Sequence, residues 1–172
     1  SFCYCRNVWR NYKASFLSHL FDIDGAGCPK TWLTFNGNCY SFVDTRLNWF
    51  RATNACKEKS AILVDITSTA EDDFVRHTVQ HLHAHEDPDA IGYWISGNDL
   101  AVEGHWVWGY PNDIPMAYAD WRHGEPNNRD ANKMPEDCAI LWGRYNYTWN
   151  DITCYSEEYY ICKQEESHEV VG

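Results

Sequence analysis

The cysteine pattern constrains this chain more than any other feature. Eight cysteines fall within 172 residues: Cys3, Cys5, Cys28, Cys39, Cys56, Cys138, Cys154 and Cys162. Thiols at that density persist as disulfides only in an oxidising compartment, and each bridge contributes about 2 to 4 kcal/mol. The six cysteines from Cys28 onward allow fifteen pairings, among which spacing does not choose. Zinc is the competing use of cysteine, but no C-x2-C pair is present and Cys3-Tyr4-Cys5 is too close for that pattern. With 44% hydrophobic residues the chain can build one domain with a real core and a short extra segment. No apolar run approaches the ~18 residues that cross a bilayer, and the first residues lack a signal-peptide core. The expectation is a secreted, already processed extracellular chain.

Residues 1–24 differ from the rest of the chain. Trp9, Tyr12, Phe16, Leu20 and Ile23 recur at the period of one helical face, and Asp24-Gly25-Ala26-Gly27 breaks the pattern as a helix stop and linker. From Cys28 the elements are short and mostly β. Segments 31–35 and 38–43 flank Asn36-Gly37, the strongest short-range hairpin signal. Asn48 caps a helix to about Lys59, with Trp49, Ala52 and Cys56 on one face. Ser68 and Glu71 form a capping box for a second helix to about His83, burying Phe74, Val75, Val79 and Leu82. Strands are expected at 62–64, 93–95, 106–108, 139–142, 147–150 and 159–163. The region 109–137 shows no periodicity, and a structureless loop of that length inside a compact domain is normally functional. The three parts are an N-terminal helical oligomerisation segment and linker (1–27), a domain at 28–163, and an acidic tail (164–172).

Within that domain the stretch Trp121 to Asp151 concentrates side-chain oxygens. Glu125-Pro126-Asn127-Asn128 and Glu136-Asp137 precede the apolar run Ala139 to Trp142, and Trp149-Asn150-Asp151 lies beyond it. Two oxygen clusters on a loop and a strand suit a hard cation, and calcium fits best because it accepts six to eight oxygens in a tolerant geometry. Asp22-Ile23-Asp24-Gly25 imitates part of an EF-hand loop, but Leu20 and Thr31 occupy its first and twelfth ligand positions, so it is set aside.

These motifs, framed by Cys138 and Cys154, resemble the C-type lectin-like domains, and specifically their mannose-type carbohydrate-recognition members. The similarity covers about Cys28 to Lys163. It implies an α+β fold of two helices, small antiparallel sheets and a long calcium-binding loop region, preceded here by the short N-terminal helix. It implies disulfides Cys28–Cys39, Cys56–Cys162 and Cys138–Cys154. It further implies that Glu125, Asn127, Glu136, Asn150 and Asp151 hold a principal calcium, with a cis bond between Glu125 and Pro126, and that the same five bind sugar. Two sugar hydroxyls then complete the metal shell, each donating to an acidic ligand and accepting from an asparagine NH2. The Glu-Pro-Asn order favours equatorial 3- and 4-hydroxyls, as in mannose and N-acetylglucosamine, whereas Gln-Pro-Asp would favour galactose. Asp99, Glu103, Asn128 and Asp137, with Glu136 shared, match a second calcium site. Two departures stand out: a three-residue longer loop at Arg129 to Pro135, and Trp94-Ile95-Ser96-Gly97 where the family often has Trp-Ile-Gly-Leu.

Other functions find less support. A net charge of -11 disfavours nucleic acid, whose phosphates need basic patches. No nucleophile elbow, H-E-x-x-H, P-loop or dinucleotide fingerprint is present, and Glu136 with Asp137 serve better as metal ligands than as a glycosidase pair; no enzyme is expected. His77, His81 and His85 lie four apart, a zinc-compatible spacing without a third convergent ligand. Asn146-Tyr147-Thr148 is an N-glycosylation sequon near the site. The function expected is recognition and agglutination of glycoconjugate or microbial surfaces through carbohydrate ligands. Its rival is a structural protein that applies the same acidic loops to a mineral or ice surface.

Cys3 and Cys5 remain once the three implied bridges are assigned, and a ring closed between them would be strained. They are placed to link a neighbouring chain, beside an apolar seam on which two short helices can pack. Non-reducing electrophoresis should therefore show a dimer or larger oligomer that collapses to monomer on reduction; a monomer band in both lanes refutes the link.

Overall fold

A computed structural model describes residues 27–109, 114–129 and 134–167. The expected helix with Trp9 to Ile23, the cysteines Cys3 and Cys5, and the end of the tail lie outside these residues.

The chain begins with a hairpin. Asn36 and Gly37 both take positive φ, 47° and 73°, which is the backbone a tight two-residue turn requires. They join β1 (Leu33–Phe35) to β2 (Asn38–Leu47), with Phe35 opposite Asn38. Asn48 then accepts from the Arg51 amide and starts α1 (Trp49–Lys57), which buries Trp49, Ala52 and Cys56. After β3 (Ile62–Leu63), Ser68 accepts from the Glu71 amide to start α2 (Thr69–Leu82). The reciprocal half of the expected capping box is altered: Glu71 accepts from the amide and hydroxyl of Thr67 at 2.9 and 3.2 Å.

The remaining strands are β4 (Gly92–Asn98), β5 (Val107–Trp108), β6 (Ile114–Pro115), β7 (Cys138–Trp142), β8 (Trp149–Ile152) and β9 (Glu158–Glu165). Among the described residues the path runs β1-β2-β9-β4-β5-β6, with β3 on β9, β7 on β4 and β8 on β7. β4 is buried along its whole length. It runs parallel to β9 and antiparallel to β5 and β7, so the strand that leads into the candidate site is held from several sides. β6 lies inside the region read as structureless; its proline sits on an edge, where no ladder donor is missed.

Three buried tryptophans knit the layers, each with its indole N–H satisfied. Trp49 donates to the Ile95 carbonyl at 2.9 Å, Trp94 to the Leu47 carbonyl at 2.8 Å, and Trp149 to Asp72 Oδ1 at 2.8 Å. The disulfides pair as the resemblance implies: Cys28–Cys39, Cys56–Cys162 and Cys138–Cys154. The second joins α1 to β9 and the third joins β7 to the turn after β8. Among the described residues no helix is long and apolar enough to cross a membrane.

Local expectations needed three corrections. Leu82 is 52% exposed, as the last residue of α2, where the helical face expected to bury it ends. Tyr147 is not in a strand: it takes φ 59° after a 3-10 turn (Gly143–Tyr145), so β8 starts at Trp149. His85 lies beyond the end of α2, which breaks the expected i, i+4 series. His83 is the packed histidine, bonded to Glu86 Oε1 at 2.9 Å and the Tyr93 hydroxyl at 2.8 Å, with its ring stacked on Tyr159.

A buried charge network ties α2 to the sheet. Lys163 Nζ lies 2.6 Å from Glu71 Oε1 and 2.8 Å from Asp65 Oδ1, and Tyr40 donates to Glu71 Oε1 at 2.6 Å. Burial pushes the Glu71 carboxyl up, but its bonds from Lys163, Thr67 and Tyr40 outweigh that and hold it below the ordinary carboxylate range. Removing Glu71 leaves Lys163 with Asp65 alone and the Tyr40 hydroxyl without its acceptor, so Glu71→Ala should lower stability by about 1 to 3 kcal/mol in denaturant unfolding at neutral pH. A depressed folded-state value places this stabilisation above the ordinary carboxylate range and loses it as pH falls through the depressed value. The gap between wild type and variant should therefore narrow in acid.

Candidate functional site

The site is assembled around a fully buried carboxylate. Asp151 sits on β8 opposite Ala139 of β7, beside the Asn150–Ile140 pair. Its Oδ1 and Oδ2 accept from the Asn127 amide at 3.1 and 3.0 Å, and Oδ2 accepts from the Asn128 amide at 2.7 Å. Charge-assisted bonds of this kind compensate desolvation of the carboxylate, and they fold the Glu125 to Asn128 loop onto β8. The loop is also anchored at its start: Arg122 N–H donates to the Trp149 carbonyl at 2.8 Å, and Glu125 N–H to the Arg122 carbonyl at 2.9 Å. The Glu125–Pro126 peptide is cis.

Asn128, with φ 50°, connects the loop to two further segments. Its Oδ1 accepts from the Glu136 amide at 2.7 Å and its Nδ2 donates to Glu103. Glu136 Oε2 accepts from the Arg129 amide at 2.9 Å, closing the ends of the longer loop on each other. Asp99, in the turn after β4, donates its amide to the Asp137 carbonyl at 3.1 Å and accepts from the Gly104 amide at 2.8 Å. Asn150 donates Nδ2 to the Asp151 carbonyl at 2.7 Å. Glu125, Asn127, Asn128, Glu136, Asp137, Asn150, Asp151, Asp99 and Glu103 thus come from four separate stretches into one region.

The electrostatics of this region are unfavourable to protein alone. Burial, then the charges of Glu103, Asp137 and Asp151, push Asp99 up to about 6. Burial and the Asp151 charge raise Glu125 and Asp137 as well. Asp99 Oδ1 is buried and makes no hydrogen bond. Among the described residues no three His, Cys, Asp or Glu side chains are grouped closely enough to hold a metal by themselves; the amides of Asn127 and Asn128 lie among the carboxylates. Asn127 Nδ2 donates to Glu125 and Asn128 Nδ2 to Glu103, so each amide offers its positive end to a carboxylate. A half-turn of such an amide presents its oxygen. An all-oxygen donor set with an unpartnered buried carboxylate oxygen and mutually repelling acids fits a hard divalent cation of the calcium type.

The family model for the lectin C-type domain matches residues 45–164. The chain belongs to the C-type lectin domain family. It is 36% identical over 136 residues to a perlucin-like protein of Mytilus galloprovincialis, covering 78% of this chain and 81% of that one. It is 37% identical over 146 residues to C-type lectin domain family 17, member A, of Homo sapiens, covering 85% of this chain but 34% of that protein, so it spans about a third of that relative's length. The cow carbohydrate-recognition domain of CD23, solved in the presence of a GlcNAc2Man3 oligosaccharide, superposes with TM-score 0.69 at 30% identity, covering 84% of this chain and all of that one. A calcium-independent type II antifreeze protein shares the fold alone, with TM-score 0.66 at 22% identity over 83% of this chain and 98% of that one.

Some neighbours of the site carry no sequence signal. Asp72, on α2, receives the Trp149 indole and so positions the strand of Asn150 and Asp151. Arg122 stacks on Tyr145, its Cζ 3.6 Å from the ring centroid. The sequon residue Asn146 is exposed, and its Oδ1 accepts from Gln80 Nε2 of α2 at 2.8 Å.

The Asp99 environment gives a signed pH expectation. Its carboxyl is raised from an ordinary 3.8 to about 6, so the folded chain binds more protons than the unfolded one in that window, and stability falls as pH rises through it. Asp99→Asn, which keeps an oxygen for the Gly104 amide, should raise the calcium-free unfolding midpoint by a few degrees at pH 7 and leave it unchanged near pH 4. Equal midpoints at pH 7 in scanning fluorimetry would show that neither the burial of this carboxylate nor its charged neighbours cost stability.

Proposed function

We propose that this chain is a secreted, calcium-dependent lectin that binds mannose- and N-acetylglucosamine-type sugars, serving in recognition of glycoconjugate or microbial surfaces. The observation that carries the reading is the docking of the Asn127 and Asn128 amides on Asp151, which sets the Glu-Pro-Asn loop against the Asn150–Asp151 pair. The principal cation is assigned to Glu125, Asn127, Glu136, Asn150 and Asp151, and a second to Asp99, Glu103, Asn128 and Asp137, with Glu136 shared. Calcium supplies Lewis-acid coordination for two vicinal hydroxyls when bound. The chain's own part is selectivity: Glu125 accepts a hydrogen bond from one hydroxyl and Asn127 donates one to its neighbour, an order suited to equatorial 3- and 4-hydroxyls. The relative crystallised with a mannose-containing oligosaccharide supports the same substrate class.

Retention on mannose-agarose in calcium, with release by a chelator, separates this reading from one of mineral or ice binding. Mannose or N-acetylglucosamine should compete at least about ten-fold better than galactose, a difference of about 1.4 kcal/mol. Equal or better inhibition by galactose overturns the specificity. Exchanging the carboxylate and the amide, Glu125→Gln with Asn127→Asp, should move the preference toward galactose. Protons compete for the carboxylates, so binding at limiting calcium should also fall on the acid side of neutrality.

A further inference from the structure

Beside the Glu125 loop two guanidinium groups share one aromatic ring. Arg122 Cζ stands 3.6 Å from the Tyr145 centroid and Arg144 Cζ 5.8 Å from it. Their side chains are 39% and 53% exposed. Arg122 Nη1 lies 3.6 Å from Glu125 Oε1, and Arg144 Nη1 lies 3.9 Å from Asp89 Oδ2. Both separations exceed hydrogen-bond length, and among the described residues neither guanidinium has a hydrogen-bond acceptor. The other ion-paired arginines differ. Arg46 donates to Glu158 and the Ala90 carbonyl, and Arg76 donates to Asp72 and Asp120; these brace the fold.

Stacking orients a guanidinium plane through the ring but consumes none of its five N–H donors. The platform itself is rigid. Trp142 meets Tyr145 edge to face at 5.4 Å, and Gly143 packs so closely on the Pro88 carbonyl that a Cβ would come within 2.5 Å of it. Its amide also donates to the Ile91 carbonyl at 2.8 Å. On the other side, the Arg122 backbone is pinned to Trp149. Each guanidinium already has a carboxylate at ion-pair range, Glu125 or Asp89, so what it offers a ligand is open N–H donors beside the ring. In a chain of net charge -11, open guanidinium donors are the groups that can take a negatively charged ligand at short range.

We propose that Arg122, Tyr145 and Arg144 form a subsite for an anionic group, a carboxylate or a sulfate, carried by the sugar unit adjoining the hexose at the principal site. The subsite rests on the lectin reading above and narrows its substrate to acidic glycans. Planar donor pairs suit bidentate carboxylate or sulfate contact, and Arg122 is the link because its guanidinium lies between Tyr145 and the Glu125 carboxylate.

The test compares a neutral mannose oligosaccharide with the same backbone bearing either a uronate or a sulfate on the adjoining residue, by calorimetry in calcium. Wild type should bind at least one charged form about ten-fold tighter, the scale of charge-assisted hydrogen bonds. That advantage should shrink as salt rises. The arm showing it identifies the group. Arg144→Gln, remote from Glu125, should reduce the ratio of charged to neutral affinity while neutral binding stays. Arg122→Gln should abolish the ratio, and Arg122→Lys should restore part of it. Calcium titration and thermal midpoints of the free variants show that each still folds and loads. Neutral binding without any advantage for either anion, or an advantage that survives both glutamine substitutions together, overturns the subsite alone. Absence of all sugar binding in calcium overturns it together with the lectin reading.

Discussion

Asp151 is the interaction on which the functional half of the molecule depends. A carboxylate buried completely on β8 is tolerable only if donors converge on it, and the converging donors are backbone amides of Asn127 and Asn128. The loop cannot leave without stranding a buried charge. That single requirement organises a region with almost no regular secondary structure. Asn128 passes the constraint on through its side chain to Glu103 and the Glu136 amide, so polar side chains hold this end of the loop, while Met116, Tyr118 and Trp121 pack its earlier part on the core.

The scaffold holds Asp151 still from beneath. Trp149, two residues earlier, is fully buried and gives its indole N–H to Asp72 of α2. Asp72 also receives Arg76, which bridges to Asp120 at the start of the loop. α2 is in turn bound to β9 and β2 by Glu71, Lys163 and Tyr40. A chain of buried polar contacts therefore runs from the back of the sheet to the loop. The Cys138–Cys154 bridge closes the two ends of the β7–β8 hairpin, so neither strand can slide relative to the other.

The same arrangement concentrates carboxylates at the site and leaves guanidinium donors open at its flank. Acids gathered by backbone constraints repel one another, which shows in the raised carboxyls of Asp99, Glu125 and Asp137. This charge crowding has no stabilising purpose within the chain, and a cation bound there would relieve it. A short distance away, Arg122 is oriented by stacking on Tyr145 and Arg144 lies near the same ring, with their hydrogen-bonding capacity still open. On the proposed reading, one ligand would be held at two places, by its hydroxyls in one zone and by an anionic group in the other.

Local features of this fold were legible because they act over a few residues. Asn36-Gly37 makes its hairpin, Asn48 and Ser68 cap their helices, and the apolar stretches become strands, although β2 runs four residues and β4 three residues past their expected ends. The oxygen-rich motifs also declared themselves, since residue type alone sets donor chemistry. The disulfide pairing came only through resemblance, as six cysteines by themselves left fifteen choices. Tertiary structure alone decided that β8 begins at Trp149 after two residues at positive φ, that Leu82 faces solvent, that His83 rather than its neighbours is packed on Tyr159, and that Arg122 meets Tyr145 across more than twenty residues. Such outcomes depend on which surfaces remain to be covered once the sheet has closed. Sequence therefore determined which chemistry the chain carries and where its turns fall, while packing decided which of those groups stand together.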